Sequence, residues 1–100
     1  MSFAYSVRAA FDDAVVAAEY SAWLTDGHLA DVIEGGAQEA MVVKLGPLEF
    51  EARYLFADAA AFAKYEQERA PALRAEGLAK FPPSRGVRMT RAQGEVLMRL

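Results

Sequence analysis

One hundred residues permit a single domain with a modest core, and 54% apolar with 25% charged residues is the composition of a globular chain. A formal charge of −3 argues against nucleic acid, whose phosphates call for a basic face. The absence of cysteine excludes disulfides, thiolate metal sites and cysteine nucleophiles, and no apolar run approaches the ~20 residues that span a bilayer.

The first residues, Met1-Ser2-Phe3-Ala4-Tyr5, lack the basic start and apolar core of a signal peptide. Together with the cysteine-free composition this predicts a cytoplasmic protein. Phe3, Tyr5, Val7, Ala9 and Phe11 then alternate with Ala4, Ser6, Arg8 and Ala10, which predicts a half-buried first strand. Asp12 or Asp13 can cap the helix that follows, where Val16, Tyr20, Trp23 and Leu24 form one apolar stripe. Gly27 is the expected stop, and a short helical turn over Leu29 to Glu34 is expected before Gly35-Gly36.

Ala37 to Leu45 reads as a second strand, with Met41, Val43 and Leu45 under the helices and Val42 and Lys44 opposite. Gly46-Pro47 suits a two-residue type II′ hairpin into a third strand over Leu48 to Phe56. That strand has the cleanest period of two: Leu48, Phe50, Ala52, Tyr54 and Phe56 face one way, Glu49, Glu51 and Arg53 the other. Asp58 is a good cap for a helix over Ala59 to Ala70 with Phe62 and Tyr65 inward. Pro71 opens a further helical stretch with Leu73, Leu78 and Phe81 buried, Pro82-Pro83 ends it, and Val87, Met89 and Arg91 mark a fourth strand.

The order β-α-β-β-α-β, with right-handed crossovers, predicts an α+β, ferredoxin-like domain over residues 1–100. Its four-stranded antiparallel sheet should carry both helices on one face, with Phe50 and Tyr54 beside Val7, Tyr20 and Phe62. The other face would hold Ser6, Arg8, Lys44, Glu49, Glu51, Arg53, Arg88 and Thr90. Such a face is either solvated or stacked on a second copy, giving a dimeric α+β barrel. Burying its charges would require pairing, and both signs are present. The apolar tail Val96, Leu97, Met98 and Leu100 also favours a homodimer, since a partner chain could cover it.

The run Trp23-Leu24-x-x-x-His28-Leu29-x-Asp31-Val32 ending in glycine carries a resemblance. So does Tyr65…Ala70-Pro71-x-Leu73-Arg74-x-x-x-Leu78-x-x-Phe81. Over nearly its whole length the chain resembles an uncharacterised family of about 100-residue proteins in the dimeric α+β barrel superfamily. It departs from that family's pattern in having Gly27 for a glutamate and Ala30 for a proline. The resemblance implies the fold and the dimer. The wider superfamily holds cofactor-independent monooxygenases, muconolactone-isomerase-like enzymes, haem-handling proteins and stress-response proteins, so it implies no single activity.

Residue chemistry leaves a short set of candidates. His28 could serve as a general base or ligand contact, oriented by Asp26 or Asp31, with Tyr20 or Tyr54 supplying a hydroxyl. Against this stands a histidine that merely satisfies carbonyls at a helix end. Trp23 is either a core anchor or a stacking platform. Arg8 and Arg53 could clamp a carboxylate on the open face, or pair across strands with Glu49 or Glu51.

One histidine and no cysteine leave only carboxylates for a metal, none with the spacing of a calcium loop, so neither metal nor cofactor is expected. RNA-recognition domains share this element order, but the third strand offers Glu49, Glu51 and Arg53 where they place stacking aromatics. The expectation is a small homodimeric protein that binds a small molecule near His28 and Trp23. A cofactor-independent enzyme using that cleft, and a protein-interaction module without a ligand, are the alternatives.

Overall fold

Asp13 begins the first helix as the sequence implies. In a computed structural model describing residues 1–100, its carboxylate accepts the N–H groups of Val15 at 2.6 Å and Val16 at 3.3 Å. Asp12 is not part of the cap and pairs with Arg88 at 2.8 Å. The helix, α1 (Ala14–Trp23), follows strand β1 (Phe3–Phe11). Its residues Val16, Ala17 and Tyr20 are buried against the sheet.

The chain continues through α2 (Leu29–Glu34), β2 (Glu39–Gly46), β3 (Glu49–Phe56), α3 (Ala59–Glu68), α4 (Ala70–Lys80) and β4 (Val87–Glu95). The strands form one antiparallel sheet in the order β2-β3-β1-β4. Residues on a single face of β1 touch both long helical units: Phe11 lies 5.1 Å from Tyr20 of α1, and Tyr5 lies 5.0 Å from Phe62 of α3. Both units therefore cover the same face, as the ferredoxin-like reading requires. Phe50, Tyr54, Tyr20 and Phe62 are buried there and Val7 packs against them. Ring pairs of this kind add about 0.5–1.5 kcal/mol each beyond the area they bury.

Three details differ from expectation. First, β2 is turned over. Ala40 stands opposite Tyr54 and Val42 opposite Ala52, and directly opposed residues share a face. Ala40 and Val42 thus pack on the core, while Met41, 51% exposed, and Val43 lie on the open face. Apolar residues occupy both phases of this strand, so alternation alone did not choose between them.

Second, the hairpin turns at Pro47-Leu48, and the ladder skips Leu45 between Lys44 and Gly46. No non-glycine residue has positive φ and neither does Gly46, so the type II′ turn does not form. Third, Leu78 is 60% exposed. Leu73 and Phe81 carry that part of the core.

Gly27 breaks the first helical run as expected: its backbone is non-helical at φ 177°, and the chain kinks there between α1 and α2, with Leu29 donating its N–H across the kink to the Leu24 carbonyl. Gly36, at φ 125°, makes the actual reversal into β2, a conformation that glycine reaches without a Cβ clash. At the other end β4 runs to Glu95, and the tail beyond it stays largely uncovered, with Leu97 85% exposed. No helix is long and apolar enough to cross a membrane.

Candidate functional site

A cavity of about 320 Å³ lies between the helices and the sheet, within the range of small-molecule sites. The sheet and both helical units build it. From α4 and its C-cap, Arg74, Gly77, Leu78 and Phe81 recur at the spacing of one helical face, with Leu73 of α4 and Tyr65 of α3 beside them. From the sheet come Tyr5, Val7, Tyr54, Met89 and Arg91. Tyr20 and Trp23 of α1 and His28, just past the Gly27 kink, close one side.

Trp23 and His28 stack with ring centroids 4.1 Å apart and planes inclined by 22°. The indole also meets Tyr20 at 5.8 Å and Phe81 at 5.6 Å, and donates its N–H to Glu76 at 3.2 Å. Gly77 makes this possible: a Cβ there would sit 3.2 Å from the indole Cη2. Trp23 is therefore an anchor and a cavity wall at once.

The electrostatics separate the polar groups. Burial pushes the Tyr20 and Tyr65 hydroxyls up to about 12, and burial raises Tyr54 further still. These phenols stay protonated near neutrality and can donate hydrogen bonds. Burial also holds His28 below its ordinary 6.5, although Asp31 and Glu76 pull the other way. Asp26, the other partner expected for it, makes no bond to the ring. His28 is the one group here suited to accept a proton at neutral pH.

Across the whole chain, two buried side-chain nitrogens have no hydrogen-bond partner, His28 Nδ1 and Arg74 Nε. Both residues line this cavity. His28 Nδ1 bonds to no helix-end carbonyl. Each such orphan costs about 1–3 kcal/mol when left unpaired. Arg74 otherwise donates to Tyr5 Oη at 3.4 Å and to the Glu66 carboxylate.

Arg8 and Arg53 are elsewhere. They lie on the open face, where both bind Glu51: Arg8 Nη2 at 3.1 Å, and Arg53 through Nε. Hydrogen bonds from Arg53 and Arg8 hold the Glu51 carboxyl below its usual range. The carboxylate they clamp is the chain's own. The set expected from sequence thus divides, with Tyr20, Trp23 and His28 together in the cavity and the two arginines behind the sheet.

Tyr5, Tyr65, Arg74 and Arg91 were missed as site residues. Arg91 did carry a signal, a charge in phase with Val87 and Met89 on a helix-covered face. Arg74 carried one too, since it shares the stripe of Phe81 at a spacing of seven.

The lowered His28 value gives a pH dependence with a definite sign. The unfolded chain, with its histidine near 6.5, binds more protons than the folded one across the window below that value. His28 therefore lets stability rise with pH through this window, complete above about 6.5 and lost as pH falls. Urea midpoints at about pH 5 and about pH 7.5 should differ more for the native chain than for His28→Asn. Equal differences would mean that the ring is not desolvated.

No protein-family model matches the sequence, and no curated protein does. Solved structures match closely in fold. A protein of unknown function from Nitrosomonas europaea has TM-score 0.74 at 20% identity, covering 99% of this chain and 92% of that one. A dimeric ferredoxin-like protein from an uncultured marine organism has TM-score 0.74 at 13% identity, covering 98% and 97%. SnoaB, a cofactor-independent oxygenase from Streptomyces nogalater, has TM-score 0.73 at 12% identity, covering 99% and 96%. The chain has the ferredoxin-like fold of these proteins. At such identities the likeness is one of fold, and activity has to be argued from the cavity.

Proposed function

We propose that the chain is a homodimeric cytoplasmic protein that binds a small molecule in the cleft beside His28 and Trp23. The observation that carries this reading is that the two residues with an orphaned buried nitrogen, His28 and Arg74, both line one cavity. A bound ligand supplies the hydrogen bonds that the protein leaves unmade. An interaction module without a ligand has no use for an open volume of about 320 Å³ with two unsatisfied walls.

A thermal-shift screen tests the binding, because a ligand that prefers the native state raises the melting temperature. A compound found this way should bind His28→Ala at least about 1 kcal/mol more weakly, the worth of one hydrogen bond. Unchanged affinity would remove His28 from the site.

Cofactor-independent catalysis in the same cleft is the second reading. A specific observation favours it: a histidine kept neutral by burial sits on the cavity among protonated tyrosines, a base beside donors. The fold likeness to an oxygenase that needs no cofactor agrees with it.

For the dimer, the support is the open sheet face. Met41 and Val43 add apolar area there, and the Arg8–Glu51–Arg53 cluster is already internally neutralised in part, which lowers the cost of covering it. The exposed tail around Leu97 and Met98 supplies further apolar surface. Light scattering at tens of micromolar should give about twice the 10.9 kDa chain mass, with an interface above roughly 1,000 Å². Val43→Glu on that face should shift the mass toward the monomer. A native chain that scatters as a monomer would end this part of the reading.

A further inference from the structure

The lining of the cavity has a sign. The chain carries 14 acidic side chains against 11 lysines and arginines, yet no carboxylate lines this cavity and two arginines do. Arg74 is held by Glu66, and its Nε remains buried and unpaired. Arg91 has no carboxylate within ion-pair distance, so its guanidinium charge is uncompensated. It is exposed, and so stands at the mouth of the cavity.

A cation facing a partly desolvated, apolar chamber attracts an anion more strongly than one in open water. The planar fork of a guanidinium matches the two oxygens of a carboxylate. The rest of the chamber is flat-walled. Trp23 and His28 stack in nearly parallel planes, and Phe81, Tyr20 and Tyr54 supply further ring faces. Gly77 leaves the indole no room to swing toward α4. Flat rings in fixed positions select a flat guest.

We propose that the ligand of this cleft is a planar aromatic acid, its carboxylate held by the guanidinium groups of Arg91 and Arg74 and its ring against Trp23. This rests on the small-molecule reading and goes further by fixing the charge of the ligand. Overall acidity of the chain does not oppose it, because the local charge at the opening is set by Arg91. His28 Nδ1 then meets the ring's edge or a substituent on it.

Isothermal titration with two probes of one shape tests the charge apart from the cleft. The probes are 2-naphthoate and its neutral counterpart 2-naphthamide. The native chain should bind the acid at least about tenfold more tightly than the amide. Arg91→Gln should reduce that preference to within about threefold, and Arg91→Lys should restore part of it. Arg91 is exposed, so neither change should disturb folding, which circular dichroism would check.

Equal affinities for acid and amide would overturn the acid assignment while leaving the small-molecule cleft standing. A preference that survives in Arg91→Gln would overturn the role of Arg91 and with it this proposal. Failure of both probes to bind at millimolar concentration would overturn the proposal together with the cleft.

Discussion

Replacing Phe56 with alanine is expected to remove about 3–5 kcal/mol of folding free energy, as the loss of a fully buried ring does. Phe56 is wholly buried and stands at the centre of a ring cluster, 5.2 Å from Phe62 and 5.3 Å from Tyr65. The strand places it on the helix-covered face. A domain of this size is stable by only about 5–15 kcal/mol, so the variant should lose a large share of its stability. Urea unfolding measures it, with Val15→Ala as the control. Val15 is 65% exposed on α1 and its truncation should stay within about 0.5 kcal/mol. A loss under about 1 kcal/mol for Phe56→Ala would mean that α3 does not pack on β3 as described.

Trp23→Ala is the second large effect, at about 2–3 kcal/mol, below the figure for a fully buried ring because the indole is only partly covered. The change removes contacts to Tyr20 and Phe81, the hydrogen bond to Glu76 and the face on which His28 stacks. It also enlarges the cavity, so affinity for a flat ligand should fall by at least about tenfold. Trp23→Phe should recover much of the stability, since a ring remains against Gly77. A stable Trp23→Ala with full affinity would contradict the double role of this residue as anchor and wall.

These effects fall on residues whose legibility in the sequence differed. Strand β3 was readable because its two faces differ in kind: Phe50, Ala52, Tyr54 and Phe56 against Glu49, Glu51 and Arg53. β2 was not, because Met41, Val42 and Val43 are apolar in both phases and only the pairing of Val42 with Ala52 decides which side is covered. Asp13 and Asp58 announced their helices through local capping chemistry. Gly27 was legible for a related reason: local preference favours a stop there, and the chain kinks at its non-helical backbone between two helical pieces that buried Leu24 and Val32 tie to one core.

The site was half legible. Tyr20 and Trp23 share a stripe and His28 follows within a few residues, so proximity in sequence revealed them. Arg74 and Arg91 reach the cavity from α4 and β4, and their convergence depends on the sheet order β2-β3-β1-β4. The same order explains the fate of Arg8 and Arg53. β1 and β3 are neighbours with Arg8 opposite Glu51, so the nearest carboxylate is intramolecular and the pair is spent on it.

The measurement that bears most directly on the cleft is a ¹H–¹⁵N NMR titration with 2-naphthol and then with 2-naphthoate, following side-chain N–H signals. The Trp23 indole N–H, the chain's only such signal, and the Nε–H of Arg74 should shift saturably with at least one probe, while Arg8 and Arg53 stay unmoved behind the sheet. Shifts confined to Arg8 and Arg53, or an indole signal indifferent to both probes, would contradict a ligand site beside His28 and Trp23.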